Sequence, residues 1–243
     1  MTLQDFQRRV DALTQMRVVD VTTPVLSKDD AHHLFKVLRA EEGEEIVVTN
    51  GKGQWAFAKV GDKVITRTSD VVTDPEPTPT ELFIVPLKGD KSELAVSKLV
   101  ELGVTTITPL ISAQMTVKFK GEHRDKILDR WRRIAEESSG QCRRTYDIVI
   151  NEPVHVKDVD IDVAVAEPGT TGSLRGVRAI AIGPEGGWAE GEWPQDQLRI
   201  GLGSTVLRGE TAAIVAATLL VLRGEGWAVT SYEGAVRNNG FIQ

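Results

Sequence analysis

The chain has 243 residues, 41% of them hydrophobic and 26% charged, with a net charge of −6. That length suits one large core or two smaller ones, and the apolar runs are too short for a membrane span. The single cysteine, Cys142, excludes an intrachain disulfide framework, and a pI of about 5.4 speaks against a protein devoted wholly to nucleic acid.

The opening residues, MTLQDFQRRVDALTQ, are polar and hold no apolar signal segment, which together with the lone Cys142 predicts a reducing, cytoplasmic location. No histidine stands near Cys142 in sequence, so it reads as an unactivated thiol. The adjacent His32 and His33 have no partner at metal-ligand spacing and read as structural. Glu44–Asn50, Gln54–Val60 and Lys63–Ser69 are short β-prone runs parted by the hairpin signals GKG and GD, the pattern of a small barrel or sandwich. The segment Thr73–Glu81, TDPEPTPTE, then interrupts the pattern with three prolines. A boundary placed there gives a first domain over residues 1–75 and a second over 76–243.

Beyond it the period changes. LFIVPL (Leu82–Leu87) reads as a buried strand, Asp90-Lys91-Ser92-Glu93 as a capping box opening a helix, and Gly103 as that helix's stop. Thr105–Ile111 is the next strand, and Ile127, Trp131, Ile134 and Ser138 share one helical stripe between Arg124 and Ser139. From Lys118 to Arg144 nine basic residues stand against five acids, as on a solvated amphipathic helix or on one that faces a polyanion. The runs IDVAVAE, RAIAIG and RIGLG are further strands, and the alternation of strands with helices along this half predicts an α/β fold with a mainly parallel sheet. The last helix, Gly209 to Leu222, is apolar nearly all round and must be buried within the domain or at a subunit interface.

Ligands of open parallel sheets bind outside the carboxyl ends of the strands. Two glycine-rich loops fall there, GPEGGW and GLGSTVLRGET. Neither carries the lysine of a triphosphate cradle, so a ligand held by exposed backbone, such as a neutral or cationic nucleoside, fits better than one held by its phosphates. Two tight turns with ordinary glycine are the plain alternative.

IGPEGGW at 182–188 and LGSTVLRGETAA at 202–213 carry a resemblance, extended by HHLFKVLRAEEGEEI, PLKGDKSELAVSKLVELGV and AEESSGQCRR. Together they resemble the bacterial RsmE family of small-subunit ribosomal RNA uridine methyltransferases, within the SPOUT superfamily, from about His32 to Leu222. The resemblance implies a PUA-like β-barrel that helps hold RNA, followed by a SPOUT-type domain with a deep trefoil knot. It also implies a homodimer whose active site draws on both chains. The cofactor would be S-adenosyl-L-methionine, surrounded by Ile182, Gly183, Pro184, Glu185, Gly186, Gly187, Leu202, Gly203, Leu207, Thr211 and Ala212. The nucleophile would be N3 of a uracil in small-subunit ribosomal RNA, free or in the assembled subunit, with the base unpaired or flipped out because N3 lies on its pairing edge.

Within that reading Arg208 is the cation expected to stabilise the uracil anion. Glu210 either contacts substrate or cofactor or merely favours the helix dipole, and no general base is assigned. Lys36, Arg39, Lys88, Lys98, Arg143 and Arg144 are the expected phosphate contacts, with Gln141 and Arg144 as a polar pair toward the active site. Lys98 and Glu101 stand i,i+3, so a surface ion pair is the plain alternative there. A SPOUT enzyme acting on a tRNA base or a ribose 2′-oxygen keeps the fold and changes the target. An RNA-binding assembly factor without catalysis is disfavoured by the retained glycines and Arg208. Three departures from the family stand out: a longer N-terminal segment, Trp188 where phenylalanine is usual, and a tail after Leu222 that either crosses a dimer interface or lies on the surface.

Overall fold

A computed structural model describes residues 3–159 and 162–224; the tail from 225 onward lies outside them. The N-terminal part comprises α1 (Leu3–Asp11), β1 (Gln15–Arg17), α2 (Lys28–His32) running into a π-helical turn (His33–Val37), β2 (Glu45–Thr49), β3 (Gln54–Val60), β4 (Ile65–Arg67) and β5 (Val72–Thr73). Its sheet runs β1-β2-β3-β4, with β5 also on β3; β1 is parallel to β2 and the other pairs are antiparallel. The β2–β3 turn is shaped by Asn50, whose Oδ1 accepts the Lys52 and Gln54 amides at 2.8 and 3.2 Å. Along β2 and β3, Ile46, Val48, Ala56 and Ala58 face the main core of this part, while Val47, Trp55 and Phe57 form a second cluster with Ala12. Both faces of these strands are therefore covered, which is why they read as unbroken apolar runs. On the second face α1 lays Arg8 over Phe57 at 3.8 Å and Arg9 over Trp55 at 4.4 Å.

The second part contains β6 (Glu81–Ile84), α3 (Lys91–Glu101), β7 (Thr106–Ile111), α4 (Gly121–Gln141), β8 (Val149–Ile150), β9 (Val154–His155), a 3₁₀ turn (Val156–Asp158), β10 (Ala164–Ala166), β11 (Ala179–Ile182), β12 (Arg199–Ile200) and α5 (Gly209–Gly224). The sheet order is β12-β10-β11-β6-β7-β8, with β9 also on β7, and every pair is parallel. Successive residues of β6 serve opposite faces. Leu82 and Ile84 join the core with α3, α4 and α5, while Phe83 and Val85 join a second core with Trp193. The expected stripe on α4 is present: Trp131, Ile134 and Ser138 are buried, and Ile127 packs against them. α5 buries Ala213, Ala216, Ala217 and Leu220, and leaves Ile214, Val215 and Leu219 half-buried.

Gly103 ends α3 as expected: at φ 94° it lets Val104 donate to Leu99 O and itself donate to Val100 O, both at 3.1 Å. The capping box does not form. Asp90 has helical backbone angles and makes no side-chain cap; Ser92 Oγ instead accepts the Leu87 amide at 2.8 Å. A capping side chain needs an extended backbone to turn back over the first amides, and Asp90 lacks one.

The two sheets are joined through residues 143–147, which follow α4. Gly53 N–H donates to Thr145 O and Asp147 N–H to Gly51 O, each at 2.9 Å, and Tyr146 bridges to Lys52. Asp74 is the node of this seam. Its carboxylate accepts from Trp55 Nε1 (2.9 Å), Thr145 Oγ1 (2.7 Å) and Arg9 (3.3 Å), while Tyr146 donates to its carbonyl at 3.0 Å. The proline-rich stretch read as a linker is thus anchored at its second residue. A Cβ on Gly53 would fall 2.3 Å from the Tyr146 ring, so the barrel hairpin is moulded around a residue far along the chain.

Candidate cofactor and substrate site

Because all the strands of the second sheet are parallel, the loops after β6, β7, β10, β11 and β12 all rise at one edge. There the loops after β10, β11 and β12 enclose a cavity of about 290 Å³. Of the residues expected around a nucleoside, Ile182, Gly183, Pro184, Glu185, Gly187, Leu202, Leu207 and Ala212 line it; Gly186, Gly203 and Thr211 do not. Sequence reasoning missed a whole wall: Ala166, Glu167 and Pro168 after β10, together with Trp188, Thr205, Val206 and Gly209. The apolar run ending at Ala166 is readable as a strand, but nothing in it marks a ligand loop. In the sequence Trp188 stands out only as an aromatic exchange for phenylalanine.

Local geometry explains the glycines. Gly187 turns at φ 79° and Gly203 at φ 147°, backbone states that a side chain would strain. Gly183 is needed for a different reason: a Cβ there would lie 2.8 Å from Trp188 Cε2. Trp188 stands edge-on to Trp193, with ring centroids 5.3 Å apart, and donates Nε1–H to Ala166 O at 3.3 Å, so it ties the β11 loop to the β10 loop. On the far side Val206 is 81% exposed and forms a free apolar lip. The lining is backbone and apolar surface, with Glu167 and Glu185 its only ionisable members among the described residues.

Charge gathers at the rim. Lys91, from the first turn of α3, hydrogen-bonds Glu185 across two loops. The Lys91 ammonium, then Lys88 and Arg208, holds the Glu185 carboxyl below the usual carboxylate range. In turn Glu185 raises the Lys91 pKa, with Glu210 adding to the effect and Arg208 opposing it. Lys88 and Arg208 are exposed, whereas Glu210 Oε2 is occluded and accepts no hydrogen bond among the described residues. Lys91 was visible in the sequence only as part of the supposed capping box; its site role needs the fold.

The expected phosphate contacts do not share one surface. Lys36 lies exposed on the π-helical turn, and Arg39 just beyond it, at φ 55°. Lys98 makes the i,i+3 pair with Glu101, at 2.8 and 2.9 Å. Gln141, Arg143 and Arg144 line a separate cleft of about 1280 Å³ between the first sheet and α4. Arg143 spends its guanidinium on the carbonyls of Arg9 (3.1 Å), Ala12 (2.5 Å) and Gly140 (3.3 Å), and Arg144 on those of Tyr146 (2.6 Å) and Val100 (3.1 Å). Their donors already have protein acceptors and hold the seam together. Around them Arg132 pairs with Asp129 and Glu152, Arg130 with Glu93, and Arg17 of β1 with Asp147, so these arginines are matched by acids rather than free for phosphates. No helix among the described residues is long and apolar enough to cross a membrane.

Comparison with known proteins agrees with this arrangement. A family model described as an RNA methyltransferase domain matches residues 74–221, and one described as an RNA methyltransferase PUA domain matches residues 26–64. The chain is 28% identical to ribosomal RNA small subunit methyltransferase E of Bacillus subtilis, over 90% of this chain and 99% of that one. A crystal structure of ribosomal RNA small subunit methyltransferase E from Neisseria gonorrhoeae, bound to S-adenosyl methionine, superposes with a TM-score of 0.72 at 25% identity, covering 85% of this chain and 96% of that one. A methyltransferase from Legionella pneumophila with bound SAM superposes at 0.71 and 29% identity, with the same coverage.

Proposed function

We propose, because this chain belongs to the RNA methyltransferase family, that it methylates N3 of a uracil in small-subunit (16S) ribosomal RNA with S-adenosyl-L-methionine as donor. The observation that carries the reading is the cavity: about 290 Å³, walled by backbone and apolar groups, and without a phosphate-binding lysine in its lining. That lining fits an adenosyl group, whose flat base needs close backbone approach rather than counter-charge. Ile182, Gly183, Leu202, Leu207 and Ala212 would enclose the adenosyl part, and Trp188 and Val206 would close its two ends. When bound, the cofactor supplies a methyl group made electrophilic by its sulfonium.

The chain's own contribution is alignment and charge. Uracil N3 attacks only after shedding its proton, and the negative charge then spreads to the flanking carbonyl oxygens. Arg208 and Lys88, exposed at the rim, would be the cations that stabilise it. The occluded Oε2 of Glu210, unpartnered among the described residues, is costly unless a ligand brings it a donor, which supports a contact role rather than simple dipole stabilisation. Lys36 and Arg39 remain the barrel's proposed phosphate contacts, and Gln141 faces the interdomain cleft. We further propose a homodimer formed through the half-buried apolar side of α5, the trefoil knot that the family resemblance implies, and a cytoplasmic location.

Calorimetry with S-adenosyl-L-methionine tests the cofactor, and absence of binding would end this reading. Primer extension on small-subunit RNA from cells lacking the gene tests the target. A methyl on N3 blocks pairing and stops reverse transcriptase, so one stop should vanish; an unchanged stop pattern refutes the uracil assignment.

A further inference from the structure

The loop that follows β7, residues 112–120, touches the β11 loop but takes no part in the cavity. β6 lies between β11 and β7 in the sheet, so this loop rises beside Lys88 and Glu185, on the side of the β11 loop where the exposed cations gather. It is clasped there. Glu192 Oε1 accepts the Ala113 amide at 2.7 Å and Oε2 accepts the Ala189 amide at 2.9 Å, so one carboxylate holds both loops by their backbones. Met115 packs against the core that contains Trp188 and Trp193, and Phe119 is 3% exposed, so the loop is anchored along its length.

What the clasp presents is Gln114. Its side chain is exposed, and its amide has no hydrogen-bond partner among the described residues. Its Oε1 lies 3.1 Å from where a Cβ of Gly186 would sit. Gly186 therefore faces this amide, while its neighbours Glu185 and Gly187 face the cavity. Farther along, Lys118 and Lys120 are exposed and carry no ion pair among the described residues.

We propose that this loop is the wall against which the target nucleotide rests, with Gln114 as the residue that touches the base and Glu192 as the positioning residue that holds it there. The inference rests on the methyl-transfer reading and adds a substrate contact to it. Uracil offers an N–H flanked by two carbonyls. An amide N–H from Gln114 to one of those oxygens strengthens as N3 loses its proton and the oxygen gains charge, so it favours the transition state over the ground state. Lys118 and Lys120 lie one loop's length away, suited to the flanking phosphates.

The test uses the full-length enzyme with labelled S-adenosyl-L-methionine and unmodified small subunits. Q114A should lower kcat at saturating substrate by about 10²-fold, the usual loss of one such donor, and leave the cofactor Kd within about twofold by calorimetry. In an E192A background the further loss from Q114A should shrink to less than about threefold, because the loop no longer delivers the amide. A merely structural role for Glu192 would lower thermal stability and leave the Gln114 effect whole. The proposal is overturned if Q114A retains kcat within about twofold of wild type, or if its cofactor affinity falls in step with turnover. Failure of the wild-type enzyme to methylate would instead overturn the functional reading itself.

Discussion

Gly183→Ala isolates the packing of the cofactor cavity from every other effect. The backbone at Gly183 is outside the left-handed region, so alanine is conformationally acceptable and only the new methyl matters. That methyl would sit 2.8, 3.1 and 3.2 Å from three atoms of the Trp188 ring. Carbon atoms in contact prefer about 3.5–4.0 Å, so the ring must recoil by about 0.7–1.2 Å. Recoil is resisted by Trp193, which is 5% exposed and edge-on to it, and it would stretch the Nε1 bond to Ala166 O, already 3.3 Å long. Overpacking of this kind costs about 1–3 kcal/mol. Because Trp188 is itself a cavity wall, the cost should appear in cofactor affinity as a loss of about 5- to 150-fold. Calorimetric titration reads the affinity, and near-ultraviolet circular dichroism reports the indole. Replacing Trp188 by the smaller phenylalanine should give the methyl room, so G183A/W188F should lose less than the two single losses combined. Wild-type affinity in G183A, with an unchanged indole spectrum, would refute the reasoning.

Four further outcomes follow from the seam, the rim and the barrel. Asp74→Ala deprives Trp55 Nε1, Thr145 Oγ1 and Arg9 of one shared acceptor, and should cost about 2–4 kcal/mol in urea unfolding, discounted because Asp74 is 19% exposed. Lys91→Met removes the main cause of the depressed Glu185 pKa. The charged Glu185 form, present above the ordinary carboxylate range and lost as pH falls through the depressed value, should then be lost at higher pH; the acid limb of cofactor affinity against pH should move up. Neutralising Lys36 or Arg39 should make the salt dependence of RNA binding shallower by about one unit each. Arg143→Ala should leave that slope unchanged and lower stability instead, since its donors sit on three carbonyls.

The hairpin strands were legible because GKG and GD bound them, and β3 spans the predicted Gln54–Val60. The sheet edges were not: β8, β9 and β12 have two residues each, too few to show a period. Helix α1 misleads any periodicity argument, since Phe6 and Val10 are 41% and 49% exposed while Arg9 is 5% exposed. Arg9 is buried by Trp55 and Asp74, partners that no local window contains. The same limit applies to the site. Glycine loops show themselves through their composition, whereas the Lys91–Glu185 pair joins residues 94 apart. Arg143 and Arg144 looked like phosphate ligands because a basic pair in sequence says nothing about the carbonyls that the fold turns toward it.

The position of Asp74 bears on the order in which the molecule takes shape during synthesis. A nascent chain that has just emerged to residue 75 possesses every strand of the first sheet, yet lacks Thr145 and Tyr146, which complete the node and fill the space beside Gly53. Chains of several domains commonly fold each one as it leaves the ribosome. Here the earliest unit must wait about 70 residues, through α3, β7 and the whole of α4, before its last partners arrive. Maturation of the first half is thereby timed by the second.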